Sequence, residues 1–586
     1  MQSTSVAALL LAARAAAFSS VKPTKPNMVW FLTDDQDQEL GASFPNKGGV
    51  TPMPKTKKLM EEQGATALNW YIHTPICSPS RSELLSGRYL HNIKATGSSA
   101  CHGAGCGYCD GMHINYTKVN PHSFARTLSE EGGYTVGMFG KYLNVMPEDY
   151  PPPGWDAWLA NEGGSYIAPS FQTKNIAGKP DGGWQGNSSD YTTAVVGNAS
   201  ITWIKSVARQ GKPWFAYVAP KAAHEPFNPA PWYEEHWDAS WPAHEPRTPN
   251  WNCSAESRKD HHGNIATQPM LSAASAAVIT DVFKNRWRTL MSVDDVIADV
   301  IGAVEELGKL DSTYFFYSSD HGFQLGQFNI PMDKRHVYTW DTRIHLLARG
   351  PGIAPGSSFA HPGTQVDLAP TFLGLAGLAK PAVMDGKSIV PLLIDGTDDD
   401  DDGPGGGHGG GALAATRHHI AAVAGAGSAA GSVDGYRAAW RTEVFIEYYY
   451  CAYNDKCVAD CTTPHSYPDA DEECGDLQHG TACWSPVCQT DCYRTEDEAN
   501  NFIGLRRPPL DGVAGADVLY AEFQRGDLSS GTDVAFDDVD FTEYYDTAAD
   551  PWQLSNLAER ADTAAARAKL HTRLHEWFGC AGDACP

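Results

Sequence analysis

The sequence predicts an α/β fold with a large, mostly parallel sheet between helices, followed by a smaller α+β subdomain. One observation is a set of short apolar runs without polar alternation, which is typical of strands buried on both faces. A second is that helical patterns lie between these runs, and strand–helix alternation on this scale favours a parallel sheet. A third is a break in composition at 397–435, after which strand-like segments surround a cysteine-rich stretch.

The elements before the break alternate in chain order. We predict strands at 28–32, 134–139, 214–218 and 314–317, and helices at 55–63, 80–85, 123–131, 191–207 and 293–307. Residues 397–435, which include TDDDDDGPGGGHGGG, are expected to form a flexible linker or surface insertion, because charge runs and glycine oppose packing. Beyond the break we predict strands at 443–450, 518–523 and 541–545 and a helix at 557–578.

The domain boundaries follow from these patterns. Residues 21–396 form the α/β domain and 436–586 the C-terminal subdomain, with a cysteine-rich insertion at 451–492. Residues 1–20, MQSTSVAALLLAARAAAFSS, resemble a secretory signal peptide, because an apolar block precedes small residues. A basic segment is missing and Arg14 interrupts the pattern, so a disordered start is the alternative.

Cysteines and glycosylation motifs add to the expectation of a secreted or lysosome-like location. Ten of the 14 cysteines lie within 101–109 and 451–492, which favours disulfides over a zinc site at Cys106 and Cys109. Their connectivity stays open. Four Asn-x-Ser/Thr acceptors occur, at Asn115, Asn187, Asn198 and Asn252.

Charge excludes several partner classes. The 44 basic and 70 acidic residues give a net charge of −26, which argues against nucleic acid or an anionic membrane surface as a partner. No run approaches the ~20 apolar residues that cross a bilayer, so we expect no integral membrane segment. An anionic substrate would be repelled at long range, and any anion site must therefore be a local basic pocket.

Ionisable residues follow each of the four predicted strands of the first domain. Open α/β sheets bind ligands beyond the carboxyl ends of their strands, so these residues predict one site at a common edge. The alternative is that polar residues simply end strands. The residues are Asp34 and Asp35, then Lys141, then Lys221 and His224, and finally Asp320 and His321.

The chemistry of this edge points to an oxyanion ester. Asp34, Asp35 and Asp320 form an oxygen-rich cluster that suits Ca²⁺ or Mg²⁺, and without a cation they would repel one another. A divalent cation beside several basic groups describes a pocket for a sulfate or phosphate ester. The basic candidates are Arg81, Lys141, His224 and Lys334.

The stretch CSPSRSELLSGRY at 77–89 predicts the start of a helix, where free N–H groups and the helix dipole favour anions. Pro79 is tolerated in the first turn. Arg81 lies four residues after Cys77 and therefore on the same face. On these residues alone, Cys77 could equally be a disulfide-bonded or simply buried thiol.

Cys77-Ser-Pro-Ser-Arg81 matches the Cys-x-Pro-Ser-Arg signature of the type I sulfatases, and the chain resembles that family over most of its length. The resemblance is strongest to the N-acetylglucosamine-6-sulfatase and extracellular heparan-sulfatase branch, and it implies an alkaline-phosphatase-like fold. The stretches that carry it are NMVWFLTDDQD (27–37), HTPICSPSRSELLSGRY (73–89), GYTVGMFGKYLN (133–144), SSDHGFQLGQFNIPMDKR (318–335), DTRIHLLARGPGI (341–353), WRTEVFIEYY (440–449) and EYYDTAADPWQLSNLA (543–558).

The resemblance implies that Cys77 is oxidised to Cα-formylglycine by a formylglycine-generating enzyme. In that family, one hydroxyl of the hydrated aldehyde attacks sulfur and the ester oxygen leaves as the alcohol; the second hydroxyl later expels sulfate and restores the aldehyde. One of the remaining 13 cysteines would then be a spare thiol, unless it pairs between chains.

The resemblance also assigns roles to the edge residues. Asp34, Asp35, Asp320 and His321 would bind one Ca²⁺ together with residue 77, and imidazole is the least natural of these ligands for a hard cation. Arg81 would hold the formylglycine hydroxyl, Lys141 and Lys334 would clamp sulfate oxygens, and His224 would protonate or orient the leaving oxygen.

Three positions depart from the common pattern of the family. Leu143 stands where many members have histidine, Ala222-Ala223 precedes His224 in place of Ala-Pro, and His345 replaces a frequent proline. None of these departures removes a charged site residue, and the resemblance therefore implies a sulfatase that acts on a sulfated carbohydrate. The alternatives are a phosphonate or phosphate monoester hydrolase of the same superfamily and a non-catalytic carbohydrate-binding relative.

Overall fold

The computed structural model describes residues 25–38, 50–95, 114–146, 150–394, 432–450, 496–510, 517–528 and 534–586, and the backbone of 483–484 and 493–494. The predicted signal peptide, the cysteines at 101–109, nearly all of the predicted linker and most of the cysteine-rich insertion lie outside the described residues.

The strands are β1 (Asn27–Thr33), β2 (Ala65–Ala67), β3 (Trp70–Tyr71), β4 (Thr135–Lys141), β5 (Ala157–Asn161), β6 (Ser170–Lys174), β7 (Trp184–Gln185), β8 (Trp214–Ala219), β9 (Thr313–Ser319), β10 (Leu346–Arg349), β11 (Ser357–Phe359), β12 (Gly363–Thr364), β13 (Val444–Tyr448), β14 (Cys483–Trp484), β15 (Tyr493–Arg494), β16 (Phe502–Arg507), β17 (Val518–Phe523) and β18 (Phe541–Asp546). The α-helices are α1 (Pro54–Thr56), α2 (Cys77–Ser86), α3 (Leu90–Ile93), α4 (Phe124–Glu130), α5 (Thr192–Val207), α6 (Ala255–Arg258), α7 (Gly263–Ala266), α8 (Ala273–Glu306), α9 (Thr339–Thr342), α10 (Leu368–Leu375), α11 (Val390–Leu393), α12 (Val433–Ala438) and α13 (Ala564–Phe578).

The predicted fold class is confirmed. In the part of the chain that the structure describes, a ten-stranded sheet has the order β11-β2-β10-β9-β1-β8-β4-β5-β6-β7. Its centre, β9-β1-β8-β4-β5, is parallel throughout, while β10, β6 and β7 pair antiparallel with their neighbours. A separate antiparallel sheet, β13-β16-β17-β18, forms the core of the C-terminal subdomain.

The central strands are continuous apolar runs because helices cover both faces of the sheet. Trp30 on β1 contacts one core, where its ring stacks on Tyr217 at 4.4 Å and meets Phe372 of α10 at 5.4 Å. Its neighbour Phe31 points to the opposite core, which includes Trp287 of α8. Both faces of β1 are thereby removed from water, and the strand is held in register by its parallel pairing with β8 and β9.

All the strands predicted from sequence are present, but several of the predicted helices have different bounds, including the one predicted at 80–85, which spans Cys77–Ser86. The helix predicted at 293–307 begins at Ala273, where the Ser272 hydroxyl caps it by accepting from Ser275 N. The helix predicted at 557–578 begins at Ala564, because the Leu557 N–H donates to the Tyr544 carbonyl and holds that segment against β18. The helix predicted at 55–63 is a short α turn followed by a π turn at Lys57–Glu61.

The described helices include none with the length and apolar character needed to cross a membrane. Cys580 and Cys585 form a disulfide, and Cys77 and Cys253 are buried, unpaired thiols among the described cysteines. The predicted spare thiol stays a prediction, since the cysteine clusters lie outside this part of the chain.

Candidate active site

The carboxyl ends of β9, β1, β8 and β4 lie next to one another in the sheet, and helix α2 begins beside them. Asp35 has φ +57°, a left-handed conformation that aspartate tolerates better than most residues, and it turns the chain sharply after β1. Backbone bonds between Asp34 and the Ala222–Ala223 segment fix this turn to the loop after β8. The edge therefore collects all nine residues predicted for the site: Asp34, Asp35, Cys77, Arg81, Lys141, His224, Asp320, His321 and Lys334.

The acidic residues surround the thiol of residue 77. Cys77 Sγ lies 3.5 Å from Asp34 Oδ1 and 3.3 Å from His321 Nε2. The Asp35 N–H donates to Asp320 Oδ1 over 3.1 Å, which brings the loops after β1 and β9 together. All five side chains are buried, with relative exposures of 1% or less.

Each carboxylate is matched by a cation on its other side. Lys141 Nζ lies 2.5 Å from Asp34 Oδ2, and Lys334 Nζ lies 2.9 Å from Asp35 Oδ2.

Arg81 Nε donates to the third carboxylate, Asp320 Oδ2, over 2.9 Å. A second nitrogen of the same guanidinium donates to the Lys141 carbonyl at 2.9 Å, so Arg81 also ties α2 to the end of β4. Buried charges persist only when paired in this way.

The pKa values of Asp34 and Asp320 are shifted in opposite directions. Burial alone would raise the pKa of Asp34, but Lys141, followed by His224 and Arg81, holds it well below its ordinary value. For Asp320, burial and the Asp34 charge win, and its pKa is raised. Burial also raises the pKa of the Cys77 thiol far above its ordinary value, so an unmodified Cys77 would be a protonated, weak nucleophile.

The arrangement fits a bound cation. His321 Nδ1 lies 2.8 Å from the Gly322 carbonyl and donates to it, which leaves a lone pair on Nε2. That nitrogen faces Asp35 Oδ1 at 3.3 Å, and this oxygen accepts no hydrogen bond from the described residues. Two lone pairs facing each other in a buried site are stabilised by a metal ion between them.

His224 lies on the open side of the cluster. Its Nε2 is 3.9 Å from Asp35 Oδ2 and its Nδ1 is 2.9 Å from the Glu225 carbonyl. Its side chain is 17% exposed, the largest value among the site residues that form ion pairs. Burial lowers the pKa of His224 to about 3, so its imidazole is neutral before an anionic substrate binds.

Two further residues extend this side of the site. Lys221 donates to the Gly164 carbonyl, and burial, aided by the charge of Lys141, lowers its pKa to about 8. Glu225 was not singled out from the sequence, although it directly follows His224. Burial raises its pKa to about 7.

The C-terminal subdomain supports the segment before α2 through a contact that was not predicted from the sequence. His73 Nδ1 lies 2.6 Å from Glu83 Oε1 of α2, and His73 Nε2 lies 3.4 Å from Glu447 Oε1 of β13. The Glu447 N–H donates to the His73 carbonyl, and Glu447 also pairs with His91 Nδ1 at 2.8 Å.

The positions that depart from the family pattern do not add charges to the cluster. Leu143 is a buried core residue, and His345 packs its ring against Tyr317 with centroids 4.4 Å apart. Burial lowers the pKa of His345 to about 3, so this imidazole is neutral.

The four glycosylation acceptors occupy different surroundings. Asn187 and Asn198 are exposed, whereas Asn115 and Asn252 are half-buried. Asn252 bonds both the N–H and the carbonyl of Leu271 through its side-chain amide.

Comparisons with known proteins identify sulfatases as relatives of this chain. A family model described as Sulfatase matches residues 26–378. The N-acetylglucosamine-6-sulfatase of Homo sapiens is 30% identical over 571 residues, which cover 96% of this chain and 86% of that protein. A putative extracellular sulfatase Sulf-1 homolog of Caenorhabditis elegans is 34% identical over 370 residues, 63% of this chain and 49% of that protein.

Solved structures share the fold. The structure of BT4656 in complex with its substrate D-glucosamine-2-N,6-O-disulfate superposes with a TM-score of 0.59 at 20% identity, covering 94% of this chain and 97% of that one. A phosphonate monoester hydrolase from Silicibacter pomeroyi gives a TM-score of 0.58 at 18% identity, with 94% of each chain covered.

Proposed function

Because the chain belongs to the sulfatase family and is a sulfuric ester hydrolase, we propose that this site removes sulfate from a sulfated amino sugar. Residue 77 acts as a Cα-formylglycine, and Ca²⁺ binds among the carboxylates. The observation that carries the proposal is the position of Cys77, at the first turn of α2 and within 3.5 Å of both Asp34 and His321.

The proposed groups fit the residues that are present. Hydrated formylglycine at position 77 supplies one hydroxyl as nucleophile and a second oxygen that permits release of sulfate. Ca²⁺ suits the oxygen-rich set of Asp34, Asp35 and Asp320, with His321 as the fourth side chain, and supplies charge that polarises a sulfate oxygen.

The cations of the chain bind and orient the ester. Lys141 contacts Asp34 and Lys334 contacts Asp35, so both ammonium groups lie at the cluster, where they can also bind sulfate oxygens. Arg81 is fully buried and bonded on two sides, which suits it to orient residue 77 and Asp320 rather than the sugar.

His224 handles the leaving oxygen. It lies on the exposed side of the site, and its Nδ1 bond to the Glu225 carbonyl directs Nε2 toward the cluster. A sulfate anion bound beside it would favour its protonated form, which can then donate to the departing alkoxide.

An amino sugar is the proposed substrate class because the human relative is named N-acetylglucosamine-6-sulfatase and the solved neighbour was captured with D-glucosamine-2-N,6-O-disulfate. The Caenorhabditis elegans relative is named a putative extracellular sulfatase homolog, which supports the secretory pathway as the location of this protein. A formylglycine-generating enzyme would be a partner during synthesis, since Cys77 is only 1% exposed after folding.

The test is to express the chain with and without a formylglycine-generating enzyme and to measure residue 77 by mass spectrometry. Glucosamine 6-sulfate, 4-nitrophenyl sulfate and 4-nitrophenyl phosphate are then compared as substrates, with Cys77→Ala as the matched control. We expect sulfate release only from the converted protein. Fully converted protein that is inactive on both sulfates, or that prefers the phosphate, would overturn the proposal.

A further inference from the structure

A second group of potential metal ligands lies in the C-terminal subdomain. His571 and His575 are four residues apart on α13, so their rings share one face of the helix, with centroids 4.4 Å apart. Both contact Glu522 of β17, while the helix itself packs mainly against the neighbouring strands β16 and β13. None of the three residues belongs to the candidate active site.

One ring nitrogen of each histidine lies within hydrogen-bonding distance of the Glu522 carboxylate. His571 Nδ1 lies 2.7 Å from Glu522 Oε1, and His575 Nε2 lies 2.8 Å from Glu522 Oε2. The ligand atoms of all three residues fall within 4.8 Å of one another. The Tyr520 hydroxyl donates to Glu522 Oε1 at 2.5 Å, a contact that orients the carboxylate.

We propose that Glu522, His571 and His575 form a binding site for a borderline divalent transition metal such as Zn²⁺. Two imidazoles and one carboxylate are a common zinc donor set, whereas Ca²⁺ prefers oxygen ligands throughout. The site would therefore select a different ion from the one proposed at the active site.

The geometry requires only a small adjustment. Tetrahedral zinc with bonds of about 2.0–2.1 Å places its ligands roughly 3.3 Å apart, so each imidazole must move about half an ångström away from the carboxylate. His571 has a side chain that is 52% exposed and His575 one that is 30% exposed, which leaves both rings room to shift. The exposed side also admits a water molecule as the fourth ligand.

The role of the site would be to hold α13 on the C-terminal sheet. The carboxyl end of this helix carries Trp577, which stacks on Phe445 with centroids 6.2 Å apart. The Cys580 carbonyl just beyond it accepts from His91 Nε2 at 3.0 Å. A metal bridge between α13 and β17 would thus stabilise the attachment of this helix to the C-terminal sheet.

The experiment uses untagged, full-length protein that has been stripped with chelator and returned to excess Ca²⁺ to fill the active site. Zn²⁺ is titrated by calorimetry and Co²⁺ by its visible d–d absorption, which reports tetrahedral coordination. His571→Ala and His575→Ala are compared with His122→Ala, which removes an exposed histidine elsewhere.

We expect one tight Zn²⁺ site in the wild type and in His122→Ala. Loss of one direct ligand should raise Kd by at least about 100-fold, because even outer-sphere partners are worth 10–100-fold. Sulfatase turnover should be unchanged in both variants, so failure of the zinc-site proposal is distinguishable from failure of the proposed function. Equal Zn²⁺ affinity in the wild type and in both variants, or no tetrahedral Co²⁺ spectrum, would show that the group is only a hydrogen-bonded ion pair.

Discussion

Glu447 of β13 contacts His73, which in turn contacts Glu83 of helix α2, so that the C-terminal sheet supports the helix that begins at Cys77. The substitution Glu447→Gln tests that support. The carboxylate is fully buried and accepts from the N–H and the Nδ1 of His91, both at 2.8 Å, and from the Tyr449 hydroxyl at 2.9 Å. Glutamine has the same shape as glutamate. Its carbonyl oxygen can accept from His91 as the carboxylate does, and its amide group can donate to the Tyr449 hydroxyl. The substitution therefore removes the charge and little else.

The magnitude follows from the pKa of Glu447. Burial would raise it, but His91 holds it at about 2 instead of the ordinary 4.5. This depression corresponds to about 3 kcal/mol of stability at pH 6. Because the folded-state pKa is the lower one, the contribution is complete above about pH 4.5 and is lost as pH falls toward 2. At pH 3 about half of it should remain.

Equilibrium unfolding in urea measures this contribution at pH 6, 5, 4 and 3, with tryptophan fluorescence as the signal. This signal averages over all 17 tryptophans and includes Trp577, which stacks on Phe445 of β13, the strand that carries Glu447. Glu559→Gln, an exposed position, serves as the control and should change the free energy of unfolding by less than about 0.5 kcal/mol. A difference between wild type and Glu447→Gln that does not shrink on acidification would refute the charge argument.

Three further predictions concern the active site. His224→Gln should lower kcat on glucosamine 6-sulfate by about 10²–10⁴-fold but much less on 4-nitrophenyl sulfate, because a good leaving group needs no proton; equal losses would contradict the role of His224. Arg81→Lys should destabilise the protein by about 3 kcal/mol in urea, since lysine cannot bond Asp320 and the Lys141 carbonyl together. Chelation with EGTA should abolish turnover and added Ca²⁺ should restore it; unchanged turnover in metal-free protein would remove the metal from the mechanism.

The central sheet and the site edge were predictable because their signals are local. Each of β1, β4, β8 and β9 is an apolar run followed by a charged residue, and the rule that parallel strands share one functional edge brings those residues together. In the structure these residues lie together at that edge.

The features that were not predicted depend largely on contacts between residues that are distant in sequence. Glu447 meets His73 across 374 positions of chain, and nothing near either residue predicts the pair. Likewise β16 reads FIGLRR, a short mixed segment that becomes a strand because β13 and β17 provide hydrogen-bonding edges on both sides. The start of α8 was missed because its first residues, AASAA, carry no apolar stripe.

The burial of residue 77 also sets the order of events during synthesis. His321, which contacts the Cys77 thiol, follows it by 244 positions, and Glu447, which supports the helix, lies farther still. At about 5–20 residues per second, roughly 10–50 s pass before the chain that closes the site has been made. The proposed conversion of Cys77 therefore has a natural interval in which the signature is accessible, and the folded enzyme, with that position 1% exposed, offers no second one.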